Sequence, residues 1–142
     1  EIYKTNPVDI DTFINKLLGG NKGKRRYAED PKYSRFGFVF EMPLKQVVNK
    51  TYMQELPKPL AEYANRSWSH VDFVVYNRVT KEILFGIEVD GYNYHKKGSV
   101  QAERDAKKDK IFELIELPLL RFNTRNSNEE RDIKEKLNLY CQ

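Results

Sequence analysis

The sequence predicts an α/β domain, a mixed central β-sheet flanked by helices. Three observations carry this. First, His70–Tyr76 (HVDFVVY) and Ile83–Asp90 (ILFGIEVD) are apolar, partly β-branched runs, and the polar stretch Asn77–Glu82 between them is short enough for an antiparallel hairpin. Second, apolar residues at helical spacing precede the hairpin (Ile10, Phe13, Ile14, Leu17, Leu18) and follow it over Val100–Glu116 and Asn126–Tyr140. Third, Leu119–Phe122 gives another short buried strand between those last two helices. The order helix, strand, strand, strand, helix, strand, helix fits a sheet layered with helices.

Taken in order, Asn6 or Thr5 caps the first helix, Pro7 opens its first turn and Gly19-Gly20 ends it. Phe36–Glu41 alternates Phe36, Phe38 and Phe40 as a strand does, and Pro43 closes it. Residues 44–69 are harder to read. Leu44, Val47 and Val48 are packing candidates, and Pro57 and Pro59 open a short helix through Leu60, Ala61, Tyr63 and Ala64. In Val100–Glu116 the residues Ile111, Phe112, Leu114 and Ile115 mark the core side, and Leu117-Pro118 stops the helix. Ile133, Leu137 and Tyr140 face inward from the last helix.

A chain of 142 residues suffices for one domain with a real core, and residues 1–142 read as one catalytic unit. Because the chain starts at Glu1, an upstream recognition region is expected. No apolar run approaches the roughly 20 residues of a membrane span. The single cysteine, Cys141, excludes an internal disulfide framework and a cysteine-rich zinc site, and fits a reducing compartment. There is no GxGxxG, no P-loop lysine motif and no serine nucleophile elbow. The net charge of +4 is mild evidence for a polyanionic partner. Its location says more: Lys22, Lys24, Arg25, Arg26, Lys32 and Arg35 against Glu29 and Asp30 hold an excess equal to that of the whole chain. This segment is either a solvated loop or a phosphate-contacting one, with Lys24, Arg25 and Arg26 at its centre.

The chemistry gathers at the end of Ile83–Asp90. Glu88 and Asp90 stand two apart and share a strand face, where two carboxylates repel each other. A hard cation or a shared proton makes sense of the pair. Asp72 sits inside an apolar strand, which is unfavourable without a partner, and its hairpin neighbour carries the other two acids. Three carboxylates can thus converge at one sheet end, with the Val89 carbonyl as a further oxygen. Such ligands suit magnesium. Gly91 breaks the strand and leads to His95, which is either an ordinary loop histidine or the group that positions or deprotonates a water near neutral pH. Along the next helix, positions 101, 105, 108, 112 and 115 form one stripe that turns polar at Lys108 and Asp105. Asp105 would orient His95 or hold a further water. Lys108 would neutralise a phosphate oxygen, or else is a solvated lysine. Lys107, Asp109 and Lys110 read as solvent-facing.

In this order, HVDF, IEVDGYNYH, ERDAKKD and PLLRF resemble the PD-(D/E)XK nuclease superfamily, in the branch of very-short-patch repair endonucleases and a related phage homing endonuclease domain. The resemblance spans about residues 70–123. It implies a restriction-endonuclease-like fold, with Asp72 as the first aspartate, Val89 as carbonyl ligand, His95 as the histidine and Asp105 as the last aspartate. Two positions depart from the pattern. Asp90 stands where the superfamily's usual lysine would be, so Lys108 or His95 must substitute. The first-helix glutamate has no clear counterpart, Asp11 being the best candidate and Asp9 the second.

The resemblance implies a magnesium-dependent DNA endonuclease or nickase, with manganese substituting, acting in the cytoplasm of a bacterial or phage-infected cell. Asp72, Glu88 and Val89 would hold the metal, and Lys24, Arg25, Arg26 and Lys108 would contact DNA. Two alternatives stand beside it: a non-catalytic nucleic-acid-binding module on the same fold, and a carboxylate-based phosphoesterase acting on small molecules.

Overall fold

The computed structural model describes residues 7–19, 30–90, 99–123 and 128–141, with only the backbone described for 7–11, 90 and 123. The elements are α1 (Pro7–Leu18), a single 3-10 turn (Pro31–Tyr33), β1 (Phe36–Pro43), α2 (Leu44–Glu55), α3 (Lys58–Asn65), β2 (His70–Asn77), β3 (Ile83–Asp90), α4 (Val100–Leu114), β4 (Leu119–Asn123) and α5 (Glu129–Leu139). The four strands form one sheet in the order β1-β2-β3-β4. β1, β2 and β3 pair antiparallel, and β4 pairs parallel to β3 after the α4 crossover. The mixed α/β architecture is therefore the one the sequence predicts.

Two cores sandwich the sheet. On one face Ile14, Leu17 and Leu18 of α1 and Ile133 and Leu137 of α5 pack on Phe73, Phe85 and Ile87. On the other, Leu44, Val47 and Val48 of α2, Tyr63 and Ala64 of α3 and Ile111 and Phe112 of α4 pack on Val71 and Val74. Phe73 and Val74 are neighbours in β2, and the alternation of a strand sends them to opposite cores.

The sequence reading missed α2. The helix is short on apolar residues after Val48 and is broken at Asn49, whose backbone (φ 61°) leaves the helical region. The Asn49 side chain then accepts the N–H groups of Thr51 (3.0 Å) and Tyr52 (3.3 Å), so it caps a second short helix in place of continuing the first. A further correction falls on Leu114, expected on the core side but 42% exposed, because α4 ends there and Ile115 and Leu117 carry the packing instead. The alternation of β1 also weakens toward its end: Phe36 is fully buried and Phe40 is 50% exposed, since β1 is an edge strand.

α4 sits close to the sheet at Gly86. A Cβ at that position would lie 3.0 Å from Phe112 Cε2 and 3.1 Å from Leu119 Cδ1. The missing side chain lets Phe112 seat against β3. One turn earlier on the same side of the helix is Lys108.

Candidate active site

The site is a notch in the middle of the sheet. The β1–β2 ladder runs on to Pro43 opposite His70, and the β3–β4 ladder to Asp90 opposite Asn123. The β2–β3 ladder stops at Phe73 opposite Ile87. Beyond that pair the strands are joined by side chains. The backbone N–H of Asp72 donates to Glu88 Oε2 (2.9 Å), and the backbone N–H of Val89 donates to Asp72 Oδ2 (2.9 Å). Each carboxylate thus accepts a backbone N–H of the facing strand. This explains why β2 tolerates an aspartate in an apolar run.

Lys108 reaches into the notch from α4. Its Nζ donates to Glu88 Oε1 (3.0 Å) and to the His70 carbonyl (2.8 Å). Both partners are buried, Glu88 at 5% and Lys108 at 8% exposure. Burial pushes the Glu88 carboxyl above the ordinary glutamate value; the Lys108 ammonium pulls it back and the Asp72 charge pushes it up. Asp72 remains reachable from solvent, its side chain 31% exposed, with His70 Nε2 3.8 Å from Oδ1. A cleft of about 240 Å³ opens over this group and is lined by Trp68, His70, Asp72, Glu88, Val89, Arg104 and Lys108, among others. α4 is held in place by Ser99, whose Oγ accepts the Ala102 N–H (3.0 Å) at the helix start.

Asp72, Glu88, Val89 and Lys108 therefore come together. Lys108 is not a solvated lysine, one of its two readings: it lines the cleft, and its ammonium is committed to Glu88 and the His70 carbonyl. Asp105 is not among the residues that line the cleft, and its expected partner His95 lies outside the described residues. The Asp105 side chain is 14% exposed, accepts from Gln101 Nε2 (3.3 Å) and lies 3.7 Å from Arg121 Nη1, while Arg121 Nε also donates to Asp109 (2.9 Å). Asp90 continues the strand opposite Asn123, and its side chain lies outside the described residues, as do those of Asp9 and Asp11. α1, which carries Asp11, packs on the sheet face away from Lys108. His95, Lys24, Arg25 and Arg26 fall outside the described residues.

Among the described residues, no three His, Cys, Asp or Glu side chains group as metal ligands. The donors present at the notch are two carboxylates and the Val89 segment at an open cleft. Hard oxygens of this kind, one buried and one reachable, fit a divalent cation that keeps much of its water.

Sequence reasoning missed Arg104, His70 and Trp68 as cleft residues. One signal was available: Trp68 is the only tryptophan and stands four residues before Asp72, between two polar serines.

Comparison with curated proteins and with solved structures gives no match. A family model described as "Protein of unknown function (DUF2726)" matches residues 40–140, more than half of the chain. That span runs from within β1 past the end of α5 and holds the whole notch, and on this match the chain belongs to the DUF2726 family.

Proposed function

We propose that this chain is a metal-dependent DNA endonuclease or nickase that hydrolyses phosphodiester bonds on a restriction-endonuclease-like fold, as the catalytic domain of a homing or repair endonuclease. The observation that supports it best is the notch, where Asp72 and Glu88 face each other across a parted strand pair with Lys108 between sheet and helix. The split leaves two acids at a solvent-open cleft, with Glu88 paired to β4 opposite Arg121.

Asp72, Glu88 and the Val89 carbonyl would hold magnesium, or manganese in its place. The chemistry such an ion supplies is polarisation of a phosphoryl oxygen and acidification of water. Lys108 fixes the Glu88 carboxylate and offsets part of the rise that burial gives its pKa. Arg104 at the cleft wall offers a guanidinium to the phosphate backbone. In this reading His95 positions the water or protonates the leaving oxygen, Asp105 steadies the loop side of α4 through Arg121, Asp90 supports the metal end of β3, and Lys24, Arg25 and Arg26 bind backbone phosphates.

One observation favours a second reading. Glu88 already has a cationic partner in Lys108, which is also how a purely structural carboxylate is satisfied. On that reading the chain binds nucleic acid without cutting it. Incubation of supercoiled and linear DNA with the protein in magnesium or in EDTA tests the first reading, which expects nicks or breaks in magnesium alone.

A further inference from the structure

Beside the acid pair, the wall of the same cleft is aromatic and basic. Trp68 follows α3 in the turn before β2 and is 45% exposed. The Arg104 guanidinium lies 4.5 Å from its ring centroid and that of Arg66 5.4 Å. Tyr63 meets Trp68 edge to face, centroids 5.9 Å apart, and Lys107 Nζ lies 5.8 Å from the Tyr63 ring. Three cations thus ride on two rings, and among the described residues none of the three is in an ion pair with a carboxylate. Tyr63, Trp68 and Arg104 line the cleft that also holds Asp72 and Glu88.

Trp68 keeps part of its ring open to solvent, and the arginines beside it concentrate positive charge around a flat apolar surface. A nucleobase joined to a phosphate matches both: the base stacks and the phosphate pairs with guanidinium. Bases inside a duplex are already stacked and do not reach such a surface. We propose that Trp68, with Arg66 and Arg104, is a stacking platform for an unpaired base of a DNA strand, delivered beside the Asp72–Glu88 notch. The preferred substrate is then DNA with a single-stranded, flapped or mismatched segment. This deepens the nuclease reading and rests on it only for what happens to the strand after binding.

Because Trp68 is the sole tryptophan, its emission reports the platform directly. The test uses the whole chain in EDTA, so that cleavage plays no part. A short single-stranded DNA is expected to quench Trp68 emission saturably and to bind more tightly than a blunt duplex of the same sequence. Trp68→Ala is expected to weaken binding of a labelled strand about ten-fold or more, the usual weight of one base–aromatic stack, with Trp68→Phe restoring most of it. Arg104→Gln is expected to flatten the dependence of affinity on salt by about one unit. The proposal is overturned by unchanged emission when labelled strand is bound, by duplex binding as tight as single strand, by tighter binding of RNA than DNA, or by a Trp68→Ala protein that loses thermal stability but not affinity. If emission is quenched in EDTA and no DNA is cut in magnesium, the platform stands and the nuclease reading falls. If duplex DNA is cut and Trp68 stays silent, the reverse holds.

Discussion

The carboxylate of Glu88 accepts the backbone N–H of Asp72 from the facing strand, at 2.9 Å, just past the end of the β2–β3 ladder. Asp72 returns the bond by accepting the N–H of Val89. The two acids therefore bridge β2 and β3 where their ladder ends, at the cleft. Removing either one takes away a bond between the strands as well as a charge.

Lys108 is the other half of that arrangement. Lys108→Met removes the ammonium that pulls the Glu88 carboxyl down, so its proton affinity rises further above that of an ordinary glutamate. The folded state then holds this proton more tightly than the unfolded chain. Its contribution favours folding below the ordinary glutamate value and is lost as pH rises through the folded one. The stability gap between wild type and Lys108→Met is thus expected to be small in acid and to widen toward neutral pH, to the order of 3 kcal/mol for a buried carboxylate stripped of its partner. Denaturant melts across pH check this, and a gap that shrinks toward neutrality contradicts it. If the chain cuts DNA, the acid limb of its pH–rate profile also moves to higher pH in this variant.

Gly86 sets how close α4 comes to the sheet. Gly86→Ala would place a Cβ 3.0 Å from the Phe112 ring and force it back. The expected loss is about 1–3 kcal/mol, the usual range for overpacking a filled core. Cleavage should fall along with stability, since Lys108 rides on the same helix. Thermal melts and rates measured on one preparation decide whether the two move together.

Lys24, Arg25 and Arg26 stand at the centre of the segment that holds the charge excess of the chain. Changing all three to alanine is expected to weaken DNA binding on every sequence and to flatten the salt slope by about one unit per lost phosphate contact. Affinity measured across a salt series reads this, and an unchanged slope returns the segment to ordinary solvated surface.

For His95, the account expects His95→Ala to slow the chemical step by roughly 10²–10⁴-fold with little change in metal affinity. Asp105→Asn should give a milder defect, through its contacts with Arg121 and Gln101 near the start of α4. Single-turnover rates over a metal titration separate this from a ligand role, in which high magnesium or manganese would restore much of the rate.

Much of the fold was legible because the strongest signals were local. The hairpin and both of its acids follow from two apolar runs and a short polar connection. The stripe of α4 placed Lys108 and Phe112 on the sheet side from spacing alone. What was hidden depended on contacts distant in sequence. The bond from Lys108 to Glu88 joins residues twenty apart, a pairing that spacing along the helix does not give. α2 was obscured by Asn49, which breaks its period midway. The Trp68 wall escaped notice because α3, the turn before β2 and α4 meet only in the folded chain.

Cleavage of DNA by wild type and Asp72→Ala, in magnesium and in EDTA, with binding measured in parallel, tests the central claim most directly. Asp72 is the reachable acid of the notch. The account predicts cleavage by wild type in magnesium only, and its loss in Asp72→Ala while DNA affinity stays close to wild type and the chain remains folded, at some cost in stability from the lost partner of the Val89 N–H. Cleavage by Asp72→Ala at the wild-type rate would contradict it, as would cleavage by wild type that EDTA does not reduce.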